Sequence, residues 1–145
     1  IAQRIASENV TPLGFGRFAD GAGLFQDLLR DGAVDILRPS LALHGISGIR
    51  RIATMAENYY VAVGPYHNGG PVGTAAALQL AASLPNFFIQ EIPLPASSKD
   101  REMRSAIAGG WKETVRDGFA PLPNSPGLGI EVNERALQQF RGGVA

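Results

Sequence analysis

The sequence contains no cysteine, which excludes a disulfide framework and a thiolate metal site and suits a reducing compartment, so a cytoplasmic location is expected. It has no apolar run near the roughly 20 residues that a membrane-spanning helix requires, and no segment with the pattern of a signal peptide. Neither sign of charge prevails: 13 Lys and Arg stand against 13 Asp and Glu. Nucleic acids and acidic membrane surfaces call for clustered positive charge, so neither is expected as a partner. There is no local His/Asp/Glu spacing for a metal and no Gly-x-Ser-x-Gly elbow. What is present, 145 residues with 45% hydrophobic and 18% charged, is ordinary for about one globular domain able to bury a core. The chain opens on Ile1, and "IAQRIASEN" has helical spacing, with Ile1 and Ile5, and with Ala2 and Ala6, on one side. It is expected to begin inside a larger unit.

Four strands are expected, "TPLGFG" at 11–16, "AVDILRP" at 33–39, "YYVAVGP" at 59–65 and "NFFIQEIP" at 86–93. Their apolar residues do not alternate with polar ones, which favours strands covered on both faces, as in a parallel sheet. Helical patterns lie between them. "GLFQDLLRDG" places Leu24, Phe25, Leu28 and Leu29 on one face and stops at Gly32; "SGIRRIATMAEN" does so with Ile49, Ile52, Ala53 and Ala56; "GTAAALQLAASLPN" ends before Pro85. Strand-helix alternation with right-handed crossovers gives an α/β fold, either an open doubly wound sheet or a closed barrel. Both put chemistry at the carboxyl ends of the strands. After Pro93 the chain turns polar and then dense in Pro and Gly, expected to be an irregular arm with a short helix at about 133–140.

The residues at the strand ends are therefore the candidates: Arg17, Ser40, then Tyr66, His67 and Asn68, and finally Glu91. His67 has the chemistry of an acid or base near neutral pH and equally that of a plain loop residue. Glu91, in an apolar stretch, must be paired or at a solvent edge. Arg17 suits a two-point bond to a carboxylate, or a structural ion pair. The turn "NGGPVGT" opens a helix, where backbone N–H groups attract anions, but it lacks phosphate-loop spacing. His44 is expected in a loop.

The stretches "TPLGFGRF", "GAVDILRPS", "GISGIRRIATMAENYYVAVGPYHNGGPVGTAAALQLAASLPNFFIQE" and "PGLGIEVNE" resemble the C-terminal half of the mandelate racemase and acid-sugar dehydratase (galactonate dehydratase-like) group of the enolase superfamily. The resemblance covers nearly the whole chain. It implies the C-terminal half of a (β/α)7β TIM-like barrel over residues 1–95, holding its fifth to eighth strands, and at 96–145 a C-terminal arm returning toward a capping domain. The first four strands, with two metal-ligand carboxylates and in many members a catalytic lysine, would lie in an N-terminal half absent here, on the same or a separate chain. In such enzymes magnesium binds the substrate carboxylate, a base removes the adjacent carbon-bound proton, and the metal stabilises the resulting enediolate.

The resemblance places a metal-ligand glutamate where this chain has Arg17, an orienting aspartate where it has Ser40, and a histidine base where it has Tyr66, with His67 one place on; Glu91 alone stands at its family position. Replacing glutamate by arginine reverses the charge, so magnesium binding is not expected and no metal ligand is assigned. Three readings stay open. One is a lyase or isomerase with altered machinery, acting on a sugar acid through Tyr66, His67 and Glu91, with Arg17, Ser40 and Asn68 binding the substrate. Another is a degenerate homologue that binds a small acid through Arg17 and Glu91. The last is a structural half-barrel. By the same resemblance a homo-oligomer is expected.

Overall fold

The computed structural model describes residues 5, 7, 8 and 10–140. Of the opening helical pattern, Ile5, Ser7 and Glu8 are helical and the rest lies outside the described residues. The chain divides into two compact units, residues 1–67 with 80–91, and 68–79 with 92–145.

In the first unit three strands, β1 (Gly14–Phe15), β2 (Ile36–Leu37) and β3 (Ala62–Val63), form a parallel sheet in the order β1-β2-β3. Gly14 faces Ile36 and Phe15 faces Leu37; Ile36 faces Ala62 and Leu37 faces Val63. The strands are far shorter than expected: β2 and β3 stop ahead of Pro39 and Pro65, which carry no N–H for a ladder, and β1 stops where Gly16 turns at φ +125. The fourth expected strand, 86–93, is only a parallel bridge between Val63 and Phe87, where Val63 N–H donates to the Asn86 carbonyl at 2.8 Å and Phe88 N–H to that of Val63 at 2.9 Å. Coverage differs along the sheet: Leu37 of β2 and Val63 of β3 are buried with Ile36 and Ala62 half-buried, whereas Phe15 of the edge strand β1 is 48% exposed, and Phe88 and Ile89 beyond the bridge are exposed.

Helices α1 (Ala22–Arg30) and α2 (Leu41–Glu57) build the core. On α1, Phe25, Leu28 and Leu29 follow the i, i+3, i+4 pattern and are buried, while Leu24, expected beside them, is exposed. Burying Phe25 contributes about 1.5–3 kcal/mol. Gly32, at φ +58, ends α1: its N–H bonds the Leu29 carbonyl and the Ala33 N–H bonds that of Leu28, the paired arrangement that a left-handed residue permits. On α2 the expected Ile49, Ile52, Ala53 and Ala56 are all buried, against Leu37, Val63, Leu80 and Leu84. This helix starts earlier than expected and is broken at Gly45 (φ 61, ψ 179). His44 is thus helical, not a loop residue: the Ala19 carbonyl accepts from its Nε2 at 2.9 Å, and its ring meets Phe25 edge-on at 5.4 Å.

Helix α3 (Pro71–Ala82) crosses the division and starts on a proline, whose missing N–H costs nothing in a first turn. In the second unit, α5 (Glu134–Gln139) lies where a short helix is expected, and Asn133 caps it by accepting from the Ala136 N–H. Helix α4 (Ser98–Ile107) replaces the expected irregular run. Ser97 accepts from the Asp100 N–H at 3.1 Å, and Asp100 accepts from the Ala96 N–H at 2.9 Å. The two bonds tie the first turn to the chain before it, in a helix none of whose residues is fully buried. No helix among the described residues is long and apolar enough to cross a membrane.

Candidate functional site

The parallel hydrogen bonds of the first unit carry the chain to its strand ends. Past β1, Gly16 adopts φ +125, and a Cβ there would meet Phe25 Cε1 at 2.6 Å, so only glycine lets the chain turn at this point. The turn delivers Arg17, whose guanidinium lies 4.2 Å from the centre of the Tyr66 ring and 4.9 Å from that of Phe18. Past β2 and β3, the Tyr66 N–H donates to the Pro39 carbonyl at 2.9 Å and the Leu41 N–H to that of Tyr66 at 2.8 Å, which sets Ser40 beside Tyr66. Ser40, Tyr66 and His67 are all buried, His67 at 4% exposure, so it is not a solvated loop residue. The Tyr66 hydroxyl is buried with no hydrogen-bond partner among the described residues.

Glu91 is paired and at a solvent edge at once. Its carboxylate accepts from Arg38 Nη2, and the two side chains are 54% and 36% exposed. Arg38 also lies 5.8 Å from the Tyr66 ring centre. It is a site residue absent from the strand-end candidates of the sequence, although it lies two places before Ser40 in the same "DILRPS" stretch. Gln90 assists by donating to the Pro65 carbonyl at 3.1 Å. Arg17, Arg38, Tyr66 and Glu91 are thus gathered, with Ser40 and His67 next to Tyr66. Asn68 is exposed and belongs to the second unit.

A cavity of about 230 Å³ opens in this region, lined by Phe15, Arg17, Phe18, Leu24 and Arg38 among others. Drug-sized ligands occupy roughly 300–1,000 Å³, so it suits a smaller one. Two guanidiniums and apolar walls favour an anion with a short carbon chain.

Magnesium, which the resemblance implies, finds a poor set of donors in these residues. Arg17 is a cation, Glu91 is engaged by Arg38, and no group of three or more His, Asp or Glu among the described residues is disposed to hold a metal.

In the second unit a buried ion pair secures the turn before α3. Arg104 Nη1 donates to both Glu113 oxygens at 3.1 and 2.9 Å, with the side chains only 12% and 6% exposed. Thr74 donates its hydroxyl to Glu113, and Arg104 Nη2 donates to the Gly69 carbonyl at 3.4 Å.

Residues 2–136 match the family model described as enolase C-terminal domain-like. The chain belongs to this family. Within it the relatives are of the mandelate racemase and galactonate dehydratase kind. This chain is 36% identical over 143 residues to D-galactarolactone cycloisomerase of Agrobacterium fabrum, covering 95% of this chain and 38% of that protein. It is 34% identical over 137 residues to D-galactonate dehydratase of Pectobacterium atrosepticum, covering 92% and 36%. The crystal structure of a mandelate racemase/muconate lactonizing enzyme-like protein from Roseovarius sp. TM1035 superimposes with a TM-score of 0.80 at 32% identity, covering 95% of this chain and 33% of that one. The chain therefore spans little more than a third of the length of these relatives. Its α/β fold, with parallel strands and intervening helices, is the C-terminal half of a (β/α)7β barrel followed by a C-terminal arm.

Proposed function

We propose that this enolase C-terminal domain-like protein binds a small sugar acid at the strand ends of its first unit, through an atypical site in which Arg17 receives the ligand carboxylate. The observation that carries this reading is the Arg17 guanidinium. It lies over the Tyr66 ring, 4.2 Å from its centre, borders the cavity, and takes part in no ion pair among the described residues. A planar guanidinium presents two parallel N–H donors that match a carboxylate. The relatives named for galactonate and galactarolactone make sugar acids the class to test. The test is calorimetric titration of the full-length protein with a panel of aldonic and aldaric acids. Saturable binding that Arg17→Met abolishes supports the reading, and binding unaffected by Arg17→Met sinks it. The remaining strands of the barrel, on the same or a second chain, are expected to close the site, and a homo-oligomer is expected.

A second reading, a lyase or isomerase acting by α-proton abstraction, is favoured by one observation. The Tyr66 hydroxyl is buried without a partner among the described residues, next to the buried His67. A ligand hydroxyl or α-proton brought to these groups would meet an acid-base pair, with Glu91 a third candidate. Sugar acids incubated with the full-length protein in deuterated water test it. Deuterium at the α-carbon, or a dehydrated product, supports catalysis; a panel that emerges unchanged leaves binding as the function.

A further inference from the structure

We infer that the strand-end site is matched to a ligand with a single carboxylate, held without a divalent cation, and that the Arg38–Glu91 pair sets this preference. The inference rests on the sugar-acid reading above and adds the number of charges the ligand carries. Among the gathered side chains Arg17 and Arg38 are cations and Glu91 is an anion. Glu91 spends its charge on Arg38, which leaves one uncompensated guanidinium, that of Arg17. One carboxylate neutralises it. A second carboxylate would have to take Arg38 away from Glu91, leaving that anion uncompensated beside the ligand. A divalent cation is disfavoured for the converse reason, because it would have to sit among guanidiniums whose nearest carboxylate is already engaged.

The geometry supports this division of labour. Both arginines line the cavity of about 230 Å³, while Glu91 contacts Arg38 from elsewhere in the strand ends. Arg38 therefore stands where a second ligand carboxylate would land and is the specificity-determining residue. Because the pair is partly exposed, removing Glu91 perturbs the fold little and exposes the latent second cation. A freed charge at contact distance in high dielectric changes affinity by roughly fivefold.

The experiment is titration of the full-length protein, in EDTA and then in magnesium, with six-carbon aldonates and the matching aldarates. The expected result is binding of an aldonate in EDTA at least about fivefold tighter than its aldarate, with Glu91→Gln narrowing or reversing that ratio. Arg38→Gln is expected to weaken aldonate binding, and the double variant Arg38→Gln/Glu91→Gln to restore it, whereas a merely structural pair would leave the aldonate-to-aldarate ratio of the folded protein unchanged in every variant. Equal or tighter aldarate binding by the wild type, or binding that requires magnesium, overturns the inference and leaves the sugar-acid reading standing. Failure of every acid in both buffers overturns the reading and the inference with it.

Discussion

The guanidinium of Arg17 lies over the ring of Tyr66, 4.2 Å from its centre, although the two residues follow different strands of the sheet. A guanidinium held against an aromatic ring by its charge still carries N–H donors in excess of that contact, and Arg17 enters no ion pair among the described residues. Cation–π contact at an exposed site is worth only about 0.5–1 kcal/mol. Arg17→Met is accordingly expected to lower stability by no more than that while abolishing acid binding. Urea unfolding and calorimetry on the same preparations check both halves.

Tyr66→Phe removes the buried hydroxyl that has no partner among the described residues. An orphaned buried hydroxyl carries a desolvation cost of about 1–3 kcal/mol. The variant is expected to be as stable as the wild type or more so by about 1 kcal/mol, as measured by urea unfolding. A loss of stability would mean that the hydroxyl has a bonding partner in the native protein.

Gly16→Ala is expected to be among the most damaging single-methyl changes. The position has φ +125, and the new Cβ would lie 2.6 Å from Phe25 Cε1 at the centre of the core cluster. Backbone strain and overpacking together give a destabilisation of about 2–5 kcal/mol. Comparison with Gly23→Ala, a helical position with nothing within 4 Å of the added carbon, isolates the effect in urea unfolding.

The Arg104–Glu113 pair of the second unit is nearly buried, so removing Arg104 strands the Glu113 carboxylate, while removing Glu113 leaves Arg104 its second partner, Asp100, at 3.2 Å. Arg104→Met is expected to cost about 3–5 kcal/mol, and Arg104→Met combined with Glu113→Leu clearly less than the sum of the two single changes. Unfolding of the four proteins of the cycle measures the coupling. Additive single costs would show that the two side chains act independently.

Residues 1–145 produced alone are expected to associate. Phe88 and Ile89 are more than half exposed and Phe15 nearly so, and β1 is the edge of a parallel sheet whose backbone groups invite pairing. Light scattering on the purified fragment checks this, and a monodisperse monomer with a sharp cooperative melt would contradict it.

Much of the fold was legible in short stretches. The apolar spacing of "GLFQDLLRDG" and "SGIRRIATMAEN" locates the two helices that build the core, and Gly32 marks where the first one stops. Both are local properties, set by side-chain periodicity and by the backbone freedom of one residue. Helix α4 escaped because its strongest signal is the Ser97–Asp100 cap and not an apolar face, and His44 was misplaced because its partner Ala19 is remote in sequence.

At the site, the order of residues alone specifies which chemical groups stand at the strand ends: a guanidinium at 17, a serine at 40, a phenol and an imidazole at 66 and 67, a carboxylate at 91. Which of them meet depends on how the chain packs. Arg38 reaches Glu91 across 53 positions of the chain, and Arg17 reaches Tyr66, because parallel backbone hydrogen bonds set the strand ends side by side. Those bonds join backbone groups that every residue type carries, so their register is written in no single motif. It emerges from the packing of the helices behind the sheet, and with it the charge that the site presents to a ligand.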